Sequence, residues 1–143
     1  MIEQPGIIQG ARHEDARGTL SFINDFAADE VKRFYIAGHP DTSVIRAWQG
    51  HKNEQKWFCA IQGSFKIVLL RPDNWEQPSE ELPVQEFTLT WDNMQILHIP
   101  KGYITGFKAL EAGSRLMIFS DRTLQQSLED DYRYDPELWY TWH

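Results

Sequence analysis

Short apolar or alternating runs recur along most of this chain, and each run is bounded by turn-forming residues. The runs are LSFI, RFYIAG, SVIRAW, KWFCAI and FKIVLL in the first half and VQEFTLTW, QILHIP and RLMIFS in the second half. The turn-forming residues include Asn24-Asp25, His39-Pro40-Asp41, Gly50, Gln62-Gly63-Ser64 and Pro100-Lys101-Gly102. Short strands at this spacing are typical of an all-β sandwich or barrel, which we predict from Thr19 to about Asp121.

Two segments depart from this pattern. The segment Arg71–Pro83 has three prolines and no apolar period, so we predict an exposed loop between two strands. After Asp121, Leu124 and Leu128 lie four residues apart, which indicates a short C-terminal helix. We expect the aromatic residues that follow, such as Trp139, to pack on the barrel or on a partner subunit.

Length and composition narrow the range of functions. A chain of 143 residues can build one hydrophobic core, and we expect a single domain over residues 1–143. Cys59, the only cysteine, lies in an apolar run and is expected to be a buried thiol. The sequence shows no leader pattern and no apolar run of the roughly twenty residues that span a bilayer, so we expect a cytoplasmic protein without a membrane role. A net charge of −7 argues against a nucleic-acid surface, while the basic residues of the first half leave room for a small anionic ligand.

Five motifs in a fixed order carry a resemblance that runs through almost the entire chain. They are DARG (Asp15–Gly18), VKRFYI (Val31–Ile36), IRAWQGHK (Ile45–Lys52), QGSFKIVL (Gln62–Leu69) and HIPKGYITGF (His98–Phe107). Together they resemble two cupin families that act on nucleotide-linked sugars, the dTDP-4-dehydrorhamnose 3,5-epimerases and the dTDP-4-keto-6-deoxyhexose 3,4-ketoisomerases. The resemblance implies a cupin or jelly-roll antiparallel β-sandwich barrel with a short C-terminal helix. It also implies a homodimer and a dTDP-linked deoxy sugar as the ligand.

The chain departs from these families at three positions that bear on chemistry. Gln49 stands at the histidine that, in the epimerases, removes the proton next to the ketone. The epimerases carry an acidic tyrosine on a late strand, where this chain has Met117 or Ile118. Thr105 stands at the histidine that ends the second cupin motif, and we retain it as a substrate-binding candidate.

The same positions predict no metal site and no cofactor. A cupin metal site needs two histidines two apart, a carboxylate roughly four or five residues on, and a later histidine. This chain offers Gln49 and His51, then Gln55 or Lys56, and then Thr105. One histidine in four ligand positions is too few to hold a metal ion.

Four residues are candidates for proton transfer next to a ketone, which needs a base near neutral pKa and a donor for the enolate oxygen. His51 is the candidate base, because imidazole titrates in the right range and strand alternation puts it on the same face as Gln49. Gln49 can donate its amide to the oxyanion, and Lys56 can do the same or hold a phosphate. Tyr35 is the candidate acid. Three of the four also have a structural interpretation: a hydrogen-bonded His51, a solvated Lys56 and a core or interface Tyr35.

Two arginines are candidates for substrate binding. Arg17 and Arg46 match the positions whose arginines hold the nucleotide diphosphate in both families. Guanidinium groups suit phosphate because they form two parallel, charge-assisted hydrogen bonds. The structural interpretations are an exposed turn in which Arg17 pairs with Asp15, and an ion pair at a strand edge for Arg46.

Three functions remain open at this stage. The leading hypothesis is a metal-free epimerase or ketoisomerase that acts on a dTDP-linked 4-keto-6-deoxy sugar in polysaccharide-precursor synthesis. The second is a non-catalytic cupin that binds a sugar nucleotide or serves as a partner or regulatory subunit. The third, a metal-dependent cupin oxygenase or isomerase, fits the ligand positions least.

Overall fold

Two antiparallel five-stranded sheets form most of the molecule, which is described over residues 3–143 by a computed structural model. The strands are β1 (Gly6–Gln9), β2 (Ala11–Asp15), β3 (Gly18–Phe22), β4 (Arg33–His39), β5 (Ile45–His51), β6 (Lys56–Gln62), β7 (Ser64–Leu70), β8 (Gln85–Thr90), β9 (Gln95–Ile99), β10 (Tyr103–Ala109), β11 (Ser114–Ser120) and β12 (Tyr132–Arg133), and the helix α1 is Leu124–Leu128. One sheet has the order β1-β9-β6-β11-β4 and the other β12-β5-β10-β7-β8, while β2 and β3 form a separate hairpin.

The main hydrophobic core lies between the two sheets. Phe58 and Leu116 contribute to it from one sheet, and Phe65, Ile67 and Leu69 contribute alternate side chains of β7 from the other. Each of these side chains is at most 1% exposed, and their burial supplies the main driving force for the sandwich. The predicted antiparallel β-sandwich is therefore confirmed.

The strand predictions missed four strands and placed one turn, at Gly50, inside what is a continuous strand. The runs did not predict β1, β2, β10 or β12, since β2 reads ARHED and is exposed throughout, and β12 is only two residues long. Gly50, taken as a turn, lies inside β5 instead. A glycine is required there because a Cβ would lie 2.7 Å from the ring of Trp75 and 2.9 Å from Ile104.

The predicted C-terminal helix is present and is closed by a capping box. The side chain of Thr123 accepts from the backbone N–H of Gln126, whose side chain accepts from the N–H of Thr123. Leu124 and Leu128, which predicted the helix, are 60% and 63% exposed rather than buried in the core. Among residues 3–143, no helix is long and apolar enough to cross a membrane.

The C-terminal aromatic residues pack on the outer face of the second sheet. The rings of Trp139 and Trp142 each lie with their centroids 5.6 Å from the ring of Trp48, which is 1% exposed in β5. Trp75, from the predicted loop between β7 and β8, joins the same cluster. The expectation that this tail packs on the barrel is confirmed, as is the burial of Cys59.

A bulge in β5 sets the direction of the side chains that matter for function. Ala47 and Trp48 together lie opposite the single Gly106 of β10, so β5 carries one extra residue at this point. As a result Arg46 and Gln49, three residues apart in sequence, line the same cavity. In a regular strand, residues three apart point to opposite faces.

Gly106→Ala should destabilise the protein by about 1–3 kcal/mol, because its Cβ would overpack the bulge. That atom would lie 2.8 Å from the ring of Trp48, 2.9 Å from Ala47 and 2.9 Å from the ring of Trp142. The matched control is Gly38→Ala in β4, where nothing lies within 4 Å of the added atom. Urea unfolding of the two variants measures the difference, and an equal change in both would contradict the packing explanation.

Candidate active site

A cavity of about 580 Å³ lies between the two sheets, a size suited to a small-molecule ligand. Strands β4, β6 and β11 of one sheet bound it, together with β5 and β10 of the other and the segment from α1 to just after β12. Five of the seven predicted site residues line it: Tyr35, Arg46, Gln49, Lys56 and Thr105. Residues far apart in sequence therefore meet in one place.

The charges that line this cavity are mostly positive, in contrast to the net charge of −7 of the whole chain. Arg33, Arg46, Lys56 and Arg133 contribute four cationic side chains, and Asp131 contributes the single carboxylate. Low-dielectric walls strengthen the field of such a cluster. The cavity is therefore suited to an anionic ligand.

Hydrogen bonds at both ends of its amide fix the orientation of Gln49. Its Nε2 donates to Oδ1 of Asp131 at 3.0 Å, and its Oε1 accepts from Nζ of Lys56 at 3.3 Å. Nε of Arg133 also donates to Oδ1 of Asp131, at 2.8 Å. Burial acts to raise the pKa of Asp131, but the hydrogen bonds from Arg133 and Gln49 outweigh it and hold the pKa below its usual value.

His51 lies at the end of β5, outside the lining of the cavity. Its Nδ1 is 2.6 Å from the carbonyl oxygen of Asp130, which requires an N–H on Nδ1 and leaves a lone pair on Nε2. Nε2 is buried and has no hydrogen-bond partner within residues 3–143. Burial lowers the pKa of His51, and the charge of Lys56 acts in the same direction against the opposing carboxylate of Glu54. The imidazole is therefore neutral at neutral pH.

The carboxylate of Asp130 holds the turn between β5 and β6. Its Oδ1 accepts from the backbone N–H of Lys52 at 2.8 Å, and its Oδ2 accepts from Asn53 and Glu54 at 2.9 and 3.0 Å. Asp130 is 7% exposed, so water cannot readily replace these three bonds. This contact joins the segment before β12 to the turn that carries His51 on one side and Lys56 on the other.

Glu54 places a second buried carboxylate beneath the cavity. Its side chain has no exposed surface and accepts from the hydroxyl of Ser120 at 2.8 Å. The same oxygen lies 3.7 Å from Nη2 of Arg33 and 4.0 Å from Nζ of Lys56, both of which line the cavity. Nδ1 of His51 lies 3.6 Å from the other oxygen. Glu54 does not itself line the cavity, but its negative charge offsets the positive charges of Arg33 and Lys56.

Arg17 is the other predicted site residue that lies away from the cavity. It follows β2 in the turn of the β2–β3 hairpin, where its side chain is 88% exposed and donates to the carboxylate of Asp15 at 2.6 Å. Its hydrogen bonds lower the pKa of Asp15. Within one chain, Arg17 and Arg46 are therefore not brought together.

Sequence reasoning missed four polar residues around the cavity, and only one of them had a local signal. Arg33 lies two residues before Tyr35 in β4, so strand alternation puts both on one face. Glu54, Asp131 and Arg133 had no such signal, because their positions depend on contacts between the turn after β5 and the segment around β12. Within residues 3–143, no group of three or more His, Cys, Asp or Glu side chains is arranged to hold a metal ion.

Asp130→Asn should lower the free energy of unfolding by about 1–3 kcal/mol, because one of its two accepting oxygens becomes an NH₂ group and leaves buried N–H groups unpaired. Asp135→Asn is the matched control, since Asp135 is exposed and, within residues 3–143, its side chain accepts only from the N–H of Glu137 at 2.9 Å. Thermal or urea unfolding reports the difference. If both substitutions have the same effect, the hydrogen bonds of the Asp130 carboxylate do not account for this stability.

Comparison with known proteins agrees with the architecture. A dTDP sugar isomerase from Desulfovibrio desulfuricans G20 superposes with a TM-score of 0.79 at 17% sequence identity, over 99% of this chain and 92% of the other. A dTDP-4-dehydrorhamnose 3,5-epimerase from Bacillus anthracis str. Ames, with TDP and pyrophosphate bound, gives 0.75 at 20% identity over 96% and 84%. A point variant of the 3,4-ketoisomerase QdtA from Thermoanaerobacterium thermosaccharolyticum, in complex with TDP-4-keto-6-deoxyglucose, gives 0.71 at 20% identity over 94% and 90%.

These structures establish a shared fold, and with it the predicted cupin-like sandwich is confirmed. No curated protein matches the chain by sequence. The sequence pattern described as FdtA: WxcM-like, C-terminal matches residues 3–142, which is nearly the whole chain. The chain therefore belongs to the WxcM-like, C-terminal (FdtA) family.

Proposed function

We propose that this protein is a metal-free isomerase that acts on a dTDP-linked 4-keto-6-deoxy sugar, as a 3,4-ketoisomerase or an epimerase, in cytoplasmic synthesis of polysaccharide precursors. The observation that carries the proposal is the cluster of four cationic side chains in the cavity of an acidic member of this family. A nucleotide sugar brings a diphosphate that complements this cluster. Two similar structures contain TDP or a TDP-linked keto sugar, which supports the same class of ligand here.

Arg46 is the proposed diphosphate ligand within this chain. It lines the cavity, and its guanidinium can form two parallel hydrogen bonds to phosphate oxygens. Arg33 and Arg133 add positive charge on other walls of the same cavity. Thr105, opposite Gln49 in the β5–β10 pairing, is proposed to donate its hydroxyl to the sugar or to a phosphate oxygen.

His51 is the proposed base. It is neutral, its Nδ1–H is held by the Asp130 carbonyl, and the lone pair on Nε2 has no partner in the described chain. Removal of the C3 proton by Nε2 sends the electron pair of the C–H bond to the C4 carbonyl oxygen and forms an enolate. Lys56 and Gln49 are proposed to stabilise that oxygen by donating hydrogen bonds, and Tyr35 to exchange the hydroxyl proton. Return of a proton to C4 gives the 3-keto sugar, and return to the opposite face of C3 gives an epimer.

A non-catalytic sugar-nucleotide binder is the second candidate, and one observation favours it. The amide of Gln49 cannot accept a proton, and it is already engaged by Asp131 and Lys56. His51 lies behind the cavity lining, so its base role requires Nε2 to reach the ligand. A binder would keep the cationic cavity without any proton transfer.

Deuterium exchange separates the two functions. The protein is incubated with dTDP-4-keto-6-deoxyglucose in heavy water, and mass spectrometry with proton NMR follows deuterium at each carbon. We expect exchange at C3 for a ketoisomerase and at both C3 and C5 for a 3,5-epimerase. His51→Asn should abolish exchange because asparagine retains the donor to Asp130 but cannot act as a base.

The matched control is His98→Asn, because His98 lies on the outer face of the first sheet, stacked on Trp57, and does not line the cavity. It should exchange at the rate of the unaltered protein. Tight dTDP binding without any exchange would favour the binder. Full exchange in His51→Asn would remove His51 from the mechanism and leave the isomerase proposal standing.

We propose further that a second copy of the chain supplies Arg17 to the cavity, as part of a homodimer. Arg17 cannot meet Arg46 within one chain, and it lies on a two-stranded hairpin of which all residues except Phe22 are exposed. An isolated hairpin of this kind is only marginally stable in water, so a partner surface is expected to support it.

Mixing Arg17→Ala with Arg46→Ala tests this arrangement. Each variant alone should lose dTDP affinity by about tenfold or more, since a charge-assisted hydrogen bond is worth about 1.5–3 kcal/mol. In a mixed dimer one of the two sites regains both arginines, so calorimetry after subunit exchange should recover tight binding at one site in each mixed dimer and at none in the unmixed dimers. A monomeric protein, or a mixture that binds no better than its components, would contradict the proposal.

A further inference from the structure

A hydrogen bond between the exposed residue Arg46 and the buried residue His39 joins the two sheets at the wall of the cavity. Nε of Arg46, near the start of β5, donates to Nε2 of His39, at the end of β4, over 3.0 Å. Strand β4 is the edge of one sheet and β5 belongs to the other, so this bond crosses between sheets. Neither the sequence motifs nor the family comparison points to His39.

The imidazole of His39 is held firmly enough to act as a support. It is 1% exposed and stacks on the ring of Phe107 at 5.7 Å with an interplanar angle of 22°. The edge of Phe65 contacts it at 5.4 Å between ring centroids. Phe65 is fully buried and Phe107 is 8% exposed, both in the main core, so the ring cannot move without disturbing that core.

The direction of the hydrogen bond fixes the state of the ring. Arginine has only donors, so Nε2 of His39 must carry a lone pair and the imidazole must be neutral. Burial lowers the pKa of His39, the charge of Arg46 acts in the same direction, and Asp41 opposes both. The neutral charge that the geometry requires is therefore also the charge state that burial and Arg46 favour.

We propose that His39 is a positioning residue, which holds the guanidinium of Arg46 in the orientation needed to bind the diphosphate of a nucleotide sugar. The bond to His39 uses Nε and leaves the two terminal nitrogens of Arg46, which make no hydrogen bond within residues 3–143. Those two nitrogens can donate two parallel hydrogen bonds to two phosphate oxygens. The inference rests on the proposed function, because it assigns a support to the proposed phosphate ligand.

The guanidinium of Arg46 needs a support because an arginine side chain on a strand is otherwise flexible. A free arginine side chain on a strand has many rotamers, and ordering it on binding costs about 1–2 kcal/mol. An acceptor that is itself locked in the core orders the guanidinium before the ligand arrives. A carboxylate in the same place would also orient Arg46, but it would neutralise the charge that the phosphate needs. Neutral imidazole orients the group and leaves its charge available.

Two variants of His39 test the proposal by calorimetric titration with dTDP at neutral pH. His39→Leu keeps a similar volume without an acceptor and should weaken dTDP binding by about tenfold, in line with a lost charge-assisted hydrogen bond. His39→Gln offers an amide oxygen to Nε of Arg46 and should retain most of the affinity. Equal binding by the leucine variant and the unaltered protein would overturn the inference.

A double-mutant cycle separates positioning from a general effect on folding. If His39 acts through Arg46, His39→Leu should have almost no further effect on dTDP affinity in an Arg46→Ala background. A loss of the same size in both backgrounds would show that His39 only supports the fold, and it would overturn the inference.

An NMR measurement without ligand keeps this test distinct from the proposed function. The nitrogen–proton signal of Arg46 Nε should exchange slowly with water in the unaltered protein and in His39→Gln, and rapidly in His39→Leu. If the protein does not bind dTDP but shows this pattern, the proposed ligand is wrong and the support of Arg46 by His39 stands. If Nε exchanges at the same rate in all three proteins, the inference is overturned whatever the ligand.

Discussion

The carboxylate of Asp130 is the contact on which the arrangement of the cavity depends. It accepts hydrogen bonds from three consecutive backbone N–H groups of the turn between β5 and β6. The backbone carbonyl of Asp130 accepts a further hydrogen bond from His51. Because β5 and β6 belong to different sheets, this turn sets how Gln49 and Lys56 face each other across the cavity. The segment that begins β12 is fixed by the same contact, which places Asp131 beside Gln49. The buried carboxylate of Asp130 thus fixes the relative positions of β5, β6 and the segment around β12, which form three walls of the cavity.

Four cations around one cavity repel each other, and Arg33 and Lys56 are also largely buried, so folding requires something that offsets both effects. Glu54 does part of this, because its unexposed carboxylate lies within 4.0 Å of nitrogens from both Arg33 and Lys56. Asp131 does the same for Arg133 from the cavity side. Arg46 is treated differently, since its Nε is paired with a neutral imidazole. Within residues 3–143, no carboxylate forms an ion pair with Arg46, which suits a residue proposed to bind phosphate.

The sequence predicted what depends on local pattern and failed where the answer depends on distant contacts. Alternation located most strands, and the spacing of Leu124 and Leu128 located the helix. It could not show the bulge in β5, because a bulge is a property of the pairing with β10 rather than of β5 itself. Alternation between Gln49 and His51 holds, since both pair regularly with β10, but it could not show that His51 lies outside the cavity lining. The resemblance found Arg46, but the position of Arg17 outside the cavity required the three-dimensional structure.

The contacts of Gln49 show how the histidine of the related families can be absent without loss of the site's architecture. An imidazole at this position would have one N–H for Asp131 and one lone pair for Lys56, and the amide satisfies both partners at 3.0 and 3.3 Å. The replacement therefore preserves the hydrogen bonds of the cavity wall while removing a group that can exchange a proton. Any proton chemistry must then use a group that Gln49 and its partners leave free, and His51, at the start of the turn after β5, retains a buried lone pair on Nε2 that no residue from 3 to 143 occupies.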